Sequence, residues 1–568
     1  MRDAPNINMA WTMLAAEECA RLGVRHAVIS PGSRSAPLAV AFARHPSIQT
    51  HIAHDERGGA FLALGIAKAS GVPAVHVMTS GTAVANVLPA MVEARMTRTP
   101  LLVFAADRPP ELRDCGANQA IPQAQLLAGA ARWVVDLPCP STEIAAEYVL
   151  STVDEAFARA CGIAGAQGGA VHLNWQFREP LAPDERTWDI GWLWSIARWT
   201  NSREPWRRSL PPVAAEVEIT NAIVVAGRMS TQAARALQHW KGTLLADITS
   251  GLAASTTAGA DLVLRAAVDG RNEALQRALR AEAVAVIGDP VVSKRLNAWI
   301  AAQPQGVTLF GGGDPRVDPA HRADAVYAGP ALCRAARNLK PHAGWKRALA
   351  LAITASARSI ERERGLSEPT AIASVTASAS QARVKHGTMF YGSSMPIRDA
   401  DFLAIQQPDG WHAASNRGAS GIDGLVATAV GHAHATQEPV IAVVGDVSAL
   451  HDIGSLQLAA LVETPIVIVV LNNDGGGIFR YLPIAKHGDV FEACFTTPHG
   501  LSFSAIARGF GVATDAPKSR AALEKSVARA LKRGGATVIE VVVSREASEA
   551  CRARVAQAAV AALAREFR

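Results

Sequence analysis

Short apolar runs rich in Val and Ile, each ending in Gly, Pro, Ser, Asp or Asn, recur along this 568-residue chain and predict buried strands of parallel sheets. In the first third they are His26–Ser30, Ile52–His54, Ala74–Met78 and Leu101–Ala105. Helices are expected after Asp55-Glu56-Arg57-Gly58, through Lys68, and after Thr79-Ser80-Gly81-Thr82, through Ala94. A second set of strands falls at Ala222–Ala226, Ala283–Ile287 and Val307–Phe310, with turns at Gly227-Arg228, Gly288-Asp289-Pro290 and Gly311-Gly312-Gly313-Asp314. A third set contains Ile441–Val444 and Pro465–Leu471, with the composition of a helix over His451–Glu463. Repeated strand–loop–helix units place the functional loops on the C-terminal edge of each sheet.

The expected fold class is therefore α/β, with three successive domains of mostly parallel sheets flanked by helices. The boundaries read from composition are 1–182, a Trp-rich linker at 183–210, a central α/β domain at 211–345, an Ala/Ser-rich connection at 346–385, and 386–568. Five of the chain's 12 tryptophans (Trp188, Trp192, Trp194, Trp199, Trp206) lie in the linker, where aromatic anchors against a domain surface compete with a membrane or nucleic-acid surface. The net charge of +6 comes from scattered Lys and Arg offset by 50 acids, which suits small anionic substrates better than nucleic acid. Seven dispersed cysteines without a ligand cluster imply reduced thiols and a cytoplasmic setting. Acids interrupt the apolar N-terminus, unlike a signal peptide, and no aliphatic run reaches the ~20 residues of a transmembrane helix.

The most informative chemistry follows two of the third-set strands. Asp446, in Gly445-Asp446-Val447-Ser448, and Asn473, in Asn472-Asn473-Asp474-Gly475, are 27 residues apart, about one βαβ unit. An acid and an amide at adjacent strand ends suit a hard cation such as Mg²⁺ that shares its shell with phosphate. The glycines Gly475, Gly476 and Gly477 let backbone approach an ion closely. Alone, each residue reads as a helix cap or a turn.

G-D-x-S followed by N-N at this spacing resembles the signature of the thiamine-diphosphate-dependent superfamily, with Val447 where Gly is usual. That resemblance implies that Asp446, Asn473 and the Gly475 carbonyl hold Mg²⁺ (or Mn²⁺) on the diphosphate, that Ser448 and Arg417 bind the cofactor, and that Glu56 is the catalytic carboxylate on its aminopyrimidine. Residues 1–182 would then be the pyrimidine-binding domain and 386–568 the diphosphate-binding domain. Ile29–Ser35, Asp55–Gly58, Thr79–Ala83, Ala106–Glu111, Gly116–Gln119, Ser415–Gly424 and Ile478-Phe479 narrow the likeness. Together they resemble the 2-succinyl-5-enolpyruvyl-6-hydroxy-3-cyclohexene-1-carboxylate synthase family of menaquinone biosynthesis. The implied reaction is decarboxylation of 2-oxoglutarate and 1,4-addition of the succinyl carbanion equivalent to isochorismate. Both substrates are dicarboxylates, which call for several cations with forked donors. The family's substrate-binding positions map to Ser33, Arg34, Arg108, Gln119, Lys294, Arg295, Ser394, Arg398, Ile478 and Phe479, and Ile422 would bend the cofactor. A homodimer is the least assembly implied, and a homotetramer is common in the family.

Three other readings stay open on sequence grounds. One is a thiamine-diphosphate decarboxylase or carboligase acting on pyruvate, for which the arginine set is excessive. Another is a metabolite-binding protein that has lost the chemistry. The third is an NAD- or FAD-linked enzyme, for which no G-x-G-x-x-G fingerprint is found.

Overall fold

The computed structural model describes residues 3–163, 167–207, 209, 215–219, 222–229, 231–237, 240–252, 257–304, 307–312, 318, 321, 323–328, 331–335, 340–382 and 384–568. They fall into two compact units, Met1–Pro212 with Arg417–Gln437 and Gly454–Leu458, and Val213–Asn416 with Glu438–Ile453 and Ala459–Arg568.

The first unit is built on strands β1 (His26–Ile29), β2 (Gln49–Ile52), β3 (Ala74–Met78), β4 (Leu101–Asp107), β5 (Trp133–Leu137) and β6 (Ala170–Gln176), all parallel, in the order β2-β1-β3-β4-β6-β5. β3, β4 and β6 are buried along their whole length, which is why they read as continuous apolar runs. Helices Ile7–Arg21 and Ala146–Cys161 pack together, and Trp11, Leu14, Phe42, Phe104 and Trp175 share one core. The Trp-rich segment lies on this layer: Trp192 stacks on Trp11 with ring centroids 6.2 Å apart, and its Nε1 donates to the Ile144 carbonyl at 2.6 Å. Helix Glu56–Ser70 packs against helix Leu425–Thr436.

The second unit holds two larger sheets and a strand pair. β7 (Ala215–Ile219), β8 (Ala222–Ala226), β9 (Leu244–Ala246), β10 (Ala283–Ile287), β11 (Val307–Gly312), β12 (Ala323–Ala328) and β13 (Ala331–Ala335) form a sheet of order β12-β11-β10-β8-β9 and the pair β13-β7. β14 (Gly387–Tyr391), β15 (Trp411–Ala414), β16 (Val440–Gly445), β17 (Ile466–Asn472), β18 (Ala513–Asp515) and β19 (Ala536–Val542) form a parallel sheet of order β15-β14-β16-β17-β19-β18. This order repeats that of the first sheet strand for strand. In both, the chain first adds a strand on one side of the opening strand and then crosses to the other. That reversal creates a switch point, the place where open α/β sheets bind ligands.

Several expectations are corrected locally. The helix expected over His451–Glu463 is a helix over Asp446–His451, a 3₁₀ turn at Ile453–Ser455 and a short helix at Leu456–Ala460. Gly454 stands in the break, where its backbone freedom opposes a continuous helix. The helix expected through Ala94 is two helices, Thr82–Asn86 and Leu88–Thr97, because Pro89 supplies no N–H to the first and starts the second. The Ala/Ser-rich connection over 346–385, expected to be helical or loose, needs no correction: it is mostly the helices Ala343–Arg362 and Glu368–Gln381. The Gly313-Asp314 part of one expected turn lies outside the described residues. Cys19, Cys115, Cys139, Cys161, Cys494 and Cys551 are free thiols. No helix of the described residues is long and apolar enough to cross a membrane.

Candidate active site

In the second unit, β16 and β17 run side by side with Gly445 opposite Leu471, so both motifs emerge at one sheet edge. Asp446 opens its helix directly at the strand end. Its Oδ2 accepts from the backbone N–H of Asn473 at 3.0 Å and of Gly475 at 2.9 Å, while Oδ1 accepts from Val447 at 2.7 Å. Burial pushes the Asp446 carboxyl up, and the three N–H groups with His499, 3.4 Å from Oδ2, oppose that shift. Asn473 Nδ2 donates to Glu368 at 2.6 Å, which fixes the amide's orientation and turns Oδ1 the other way. That oxygen is buried with no hydrogen-bond partner. The Arg545 guanidinium caps the Asn473 and Asp474 carbonyls, and the Gly475 carbonyl accepts from Gly477 at 2.9 Å while keeping its second lone pair. Gly475 has φ of +128°, and a Cβ there would lie 2.0 Å from the Thr496 carbonyl oxygen. Ser448 is buried in the first turn of the same helix.

Other second-unit residues surround further strand ends. Ser394, with φ of +74°, precedes helix Met395–Phe402 after β14, and its carbonyl accepts from Arg398 at 2.5 Å. Ile478 and Phe479 lie half-buried on the turn Gly477–Tyr481, where Phe479 meets Phe495 edge-on at 5.7 Å. Lys294 is exposed at the start of helix Lys294–Ala301. Arg295 beside it donates to Asp269 at 2.7 Å and lies 3.6 Å from Asp261, a pairing whose acids stand 26 and 34 residues earlier and give no local sequence signal.

In the first unit, Glu56 is the first residue of its helix, capped by Asp55, whose Oδ1 accepts from the Arg57 N–H at 2.8 Å. Glu56 is half-buried and accepts from Asn86 Nδ2 at 3.2 Å. Arg108 is buried at the end of β4 and donates to Ser80 Oγ. Burial and the neighbouring Arg34 charge hold the Arg108 guanidinium below its ordinary value. Arg34 donates to the Phe177 carbonyl at 2.9 Å, and its Nε is buried without a partner. Arg34 also lies 3.7 Å from Glu179, and the Asp107 charge partly offsets the effect of Arg34 on Arg108. Ser33 is exposed on the same loop as Arg34, and Gln119, with φ of +58°, donates to the Ser80 carbonyl at 2.7 Å. The half-buried Arg417 and Ile422 flank a loop held by Glu93, which accepts from Gly418 at 3.1 Å, Ala419 at 2.8 Å and Lys68 at 2.9 Å. Burial works against the Glu93 charge, but Lys68 and the two N–H groups outweigh it and hold the carboxyl below the usual range.

Three family models match the chain: the N-terminal TPP-binding domain of thiamine pyrophosphate enzymes over residues 9–127, the middle domain of thiamine pyrophosphate over 191–390, and the C-terminal TPP-binding domain over 394–541. Curated relatives span nearly the whole chain. A 2-succinyl-5-enolpyruvyl-6-hydroxy-3-cyclohexene-1-carboxylate synthase of Rubrobacter xylanophilus is 40% identical over 96% of this chain and 97% of its own length. Synthases of the same name from Salinibacter ruber and Aeromonas salmonicida are each 37% identical, covering 96% and 93% of this chain and 95% and 93% of their own. The chain belongs to this synthase family.

A member of this family is a thiamine-diphosphate-dependent transferase, and the buried residues fit its cofactor's charged end. The unpartnered Asn473 Oδ1, the Asp446 carboxylate and the Gly475 carbonyl are hard oxygen donors of the kind Mg²⁺ takes. Among the described residues there is no group of three or more His, Cys, Asp or Glu that could hold an ion. Sequence reasoning missed Glu368 and Glu93. Each is a lone acid far in sequence from the loop it orients, without a spacing that marks it.

Proposed function

We propose that the chain decarboxylates 2-oxoglutarate and adds the succinyl carbanion equivalent in 1,4 fashion to isochorismate, giving CO₂ and the product named in its relatives. It would do so in the cytoplasm, as a homodimer or homotetramer with active sites between subunits. Thiamine diphosphate, when bound, would supply the nucleophilic carbon and the electron sink that decarboxylation of a 2-oxo acid needs. Asp446, Asn473 and the Gly475 carbonyl hold Mg²⁺ (or Mn²⁺), while Ser448 and Arg417 contact the diphosphate and Ile422 props the cofactor. Glu56 would accept a hydrogen bond from the aminopyrimidine ring and so hold the proton that this ring exchanges. Residues 1–182 thereby serve the pyrimidine end and 386–568 the diphosphate end, with 211–345 as the central domain between linker 183–210 and connection 346–385.

The observation that carries the substrate reading is the Arg34–Arg108 pair. Each guanidinium disfavours the other's charge, with Asp107 offsetting part of this at Arg108 and Glu179 lying 3.7 Å from Arg34, so a carboxylate placed between them would relieve the repulsion. Ser33 and Gln119 add neutral donors there, and Lys294, Arg295, Ser394 and Arg398 supply contacts for the remaining carboxylates. Ile478 and Phe479 keep the reacting region apolar, which favours loss of a charged carboxylate. The test is a coupled assay with thiamine diphosphate, Mg²⁺, 2-oxoglutarate and isochorismate, with the adduct identified by mass. Isochorismate loss with a succinyl adduct is expected. Consumption of pyruvate with 2-oxoglutarate ignored would overturn the reading in favour of a pyruvate carboligase.

A further inference from the structure

Behind the Asn473 amide lies a buried charged cluster within the second unit. Glu368 begins helix Glu368–Gln381, and its Oε1 accepts from Asn473 Nδ2 at 2.6 Å. Its Oε2 accepts from Arg552, on the last helix, Arg545–Glu566. The same guanidinium grips Asp399 with two hydrogen bonds of 2.6 Å and donates to Tyr481 Oη at 2.7 Å. Glu368 and Asp399 are 5% and 1% exposed, so no bulk water screens them. The Arg552 guanidinium bridges the two carboxyl groups directly behind a proposed cation ligand, and the Arg398 charge acts on Asp399 as well.

Each arm of Arg552 ends on an element of the site. Through Glu368 it reaches Asn473. Asp399 adjoins Arg398 on one helix, and Tyr481 ends the turn that carries Ile478 and Phe479. We propose that Arg552 and Glu368 are positioning residues for the metal and flanking substrate contacts, locking the Asn473 amide so that its oxygen, never its NH₂, faces the ion. An amide oxygen and NH₂ are nearly isosteric, so only a hydrogen-bond partner can choose between them. A carboxylate at Glu368 accepts only, and the Arg552 guanidinium on its other oxygen holds it in place. The proposal rests on Asn473 being a metal ligand.

The experiment is a Mn²⁺ titration of the full-length protein with thiamine diphosphate, followed by the electron paramagnetic resonance signal of free Mn²⁺. E368Q and R552K are compared with wild type and N473A. E368Q gives the amide a neighbour that both donates and accepts, and R552K keeps the charge but loses the fork. Both should weaken Mn²⁺ binding about 10- to 100-fold. Saturating metal should restore E368Q turnover toward wild type, a rescue that a general loss of packing would not show. Wild-type Mn²⁺ affinity in both variants, with N473A weakened, overturns the positioning role. Wild-type affinity in N473A instead overturns the ligand assignment itself.

Discussion

At the scale of single residues, the chemistry legible in the sequence was the part that follows a strand. Asp446 and Asn473 stood out because two β-branched runs end on them, and the fold does bring them to one edge, with the Asn473 N–H 3.0 Å from Asp446. The residues that aim them were silent: Glu368 reaches Asn473 across 105 positions, and Glu93 holds the Arg417 loop across 325. Arg295 likewise pairs with Asp269 and Asp261, acids that no local spacing marks. Glu56 carries the sharpest prediction at this scale. Replacing it by Gln keeps the Asp55 cap and a side chain able to meet Asn86, but removes the charge that governs the aminopyrimidine proton. Turnover of E56Q should fall by about 10²- to 10⁴-fold, while thiamine diphosphate affinity measured by calorimetry stays within a few-fold of wild type. Unchanged turnover would remove Glu56 from the mechanism.

Among elements, strands were read better than helices because burial on both faces writes an unbroken apolar run, whereas helix limits depend on single residues such as Gly454 and Pro89. What the runs concealed was strand order. Only in the folded chain is β1 seen between β2 and β3, and β14 between β15 and β16, giving both sheets the same reversal. Helix pairing was equally hidden. Gly65 on helix Glu56–Ser70 faces the Thr428 carbonyl, and Gly431 on helix Leu425–Thr436 faces that of Leu62; an added Cβ would sit 2.2 and 2.4 Å from those oxygens. The two backbones touch because neither glycine has a side chain. G65A must push the helices apart, and urea unfolding should show a loss of about 1–3 kcal/mol. An unchanged midpoint would mean that this contact is loose enough to yield without cost.

For the molecule as a whole, stability against pH is set by buried carboxyls that the sequence does not mark. Glu18 and Asp154 lie on the packed helices Ile7–Arg21 and Ala146–Cys161, and both are fully buried. Glu18 accepts from Trp199 Nε1 at 2.5 Å and from the Trp206 N–H at 2.7 Å, so it anchors the Trp-rich segment to the first unit. Asp154 faces Glu18, and a proton shared between the two carboxyl groups joins them. Burial, followed by that bond and the Glu18 charge, pushes Asp154 up to about 8. The folded chain therefore keeps a proton between roughly pH 4 and pH 8 that the unfolded chain has released. With more protons bound when folded, stability falls as pH rises across this window, by at most ~1.4 kcal/mol per pH unit for one proton, and this contribution levels off above it. Calorimetric melting from pH 5 to 9 should show a declining Tm in wild type. D154N cannot ionise and still offers Glu18 a donor, so its decline should be distinctly shallower. Parallel curves for the two proteins would mean that Asp154 is already ionised in the folded state and that the tryptophan anchor is held without it.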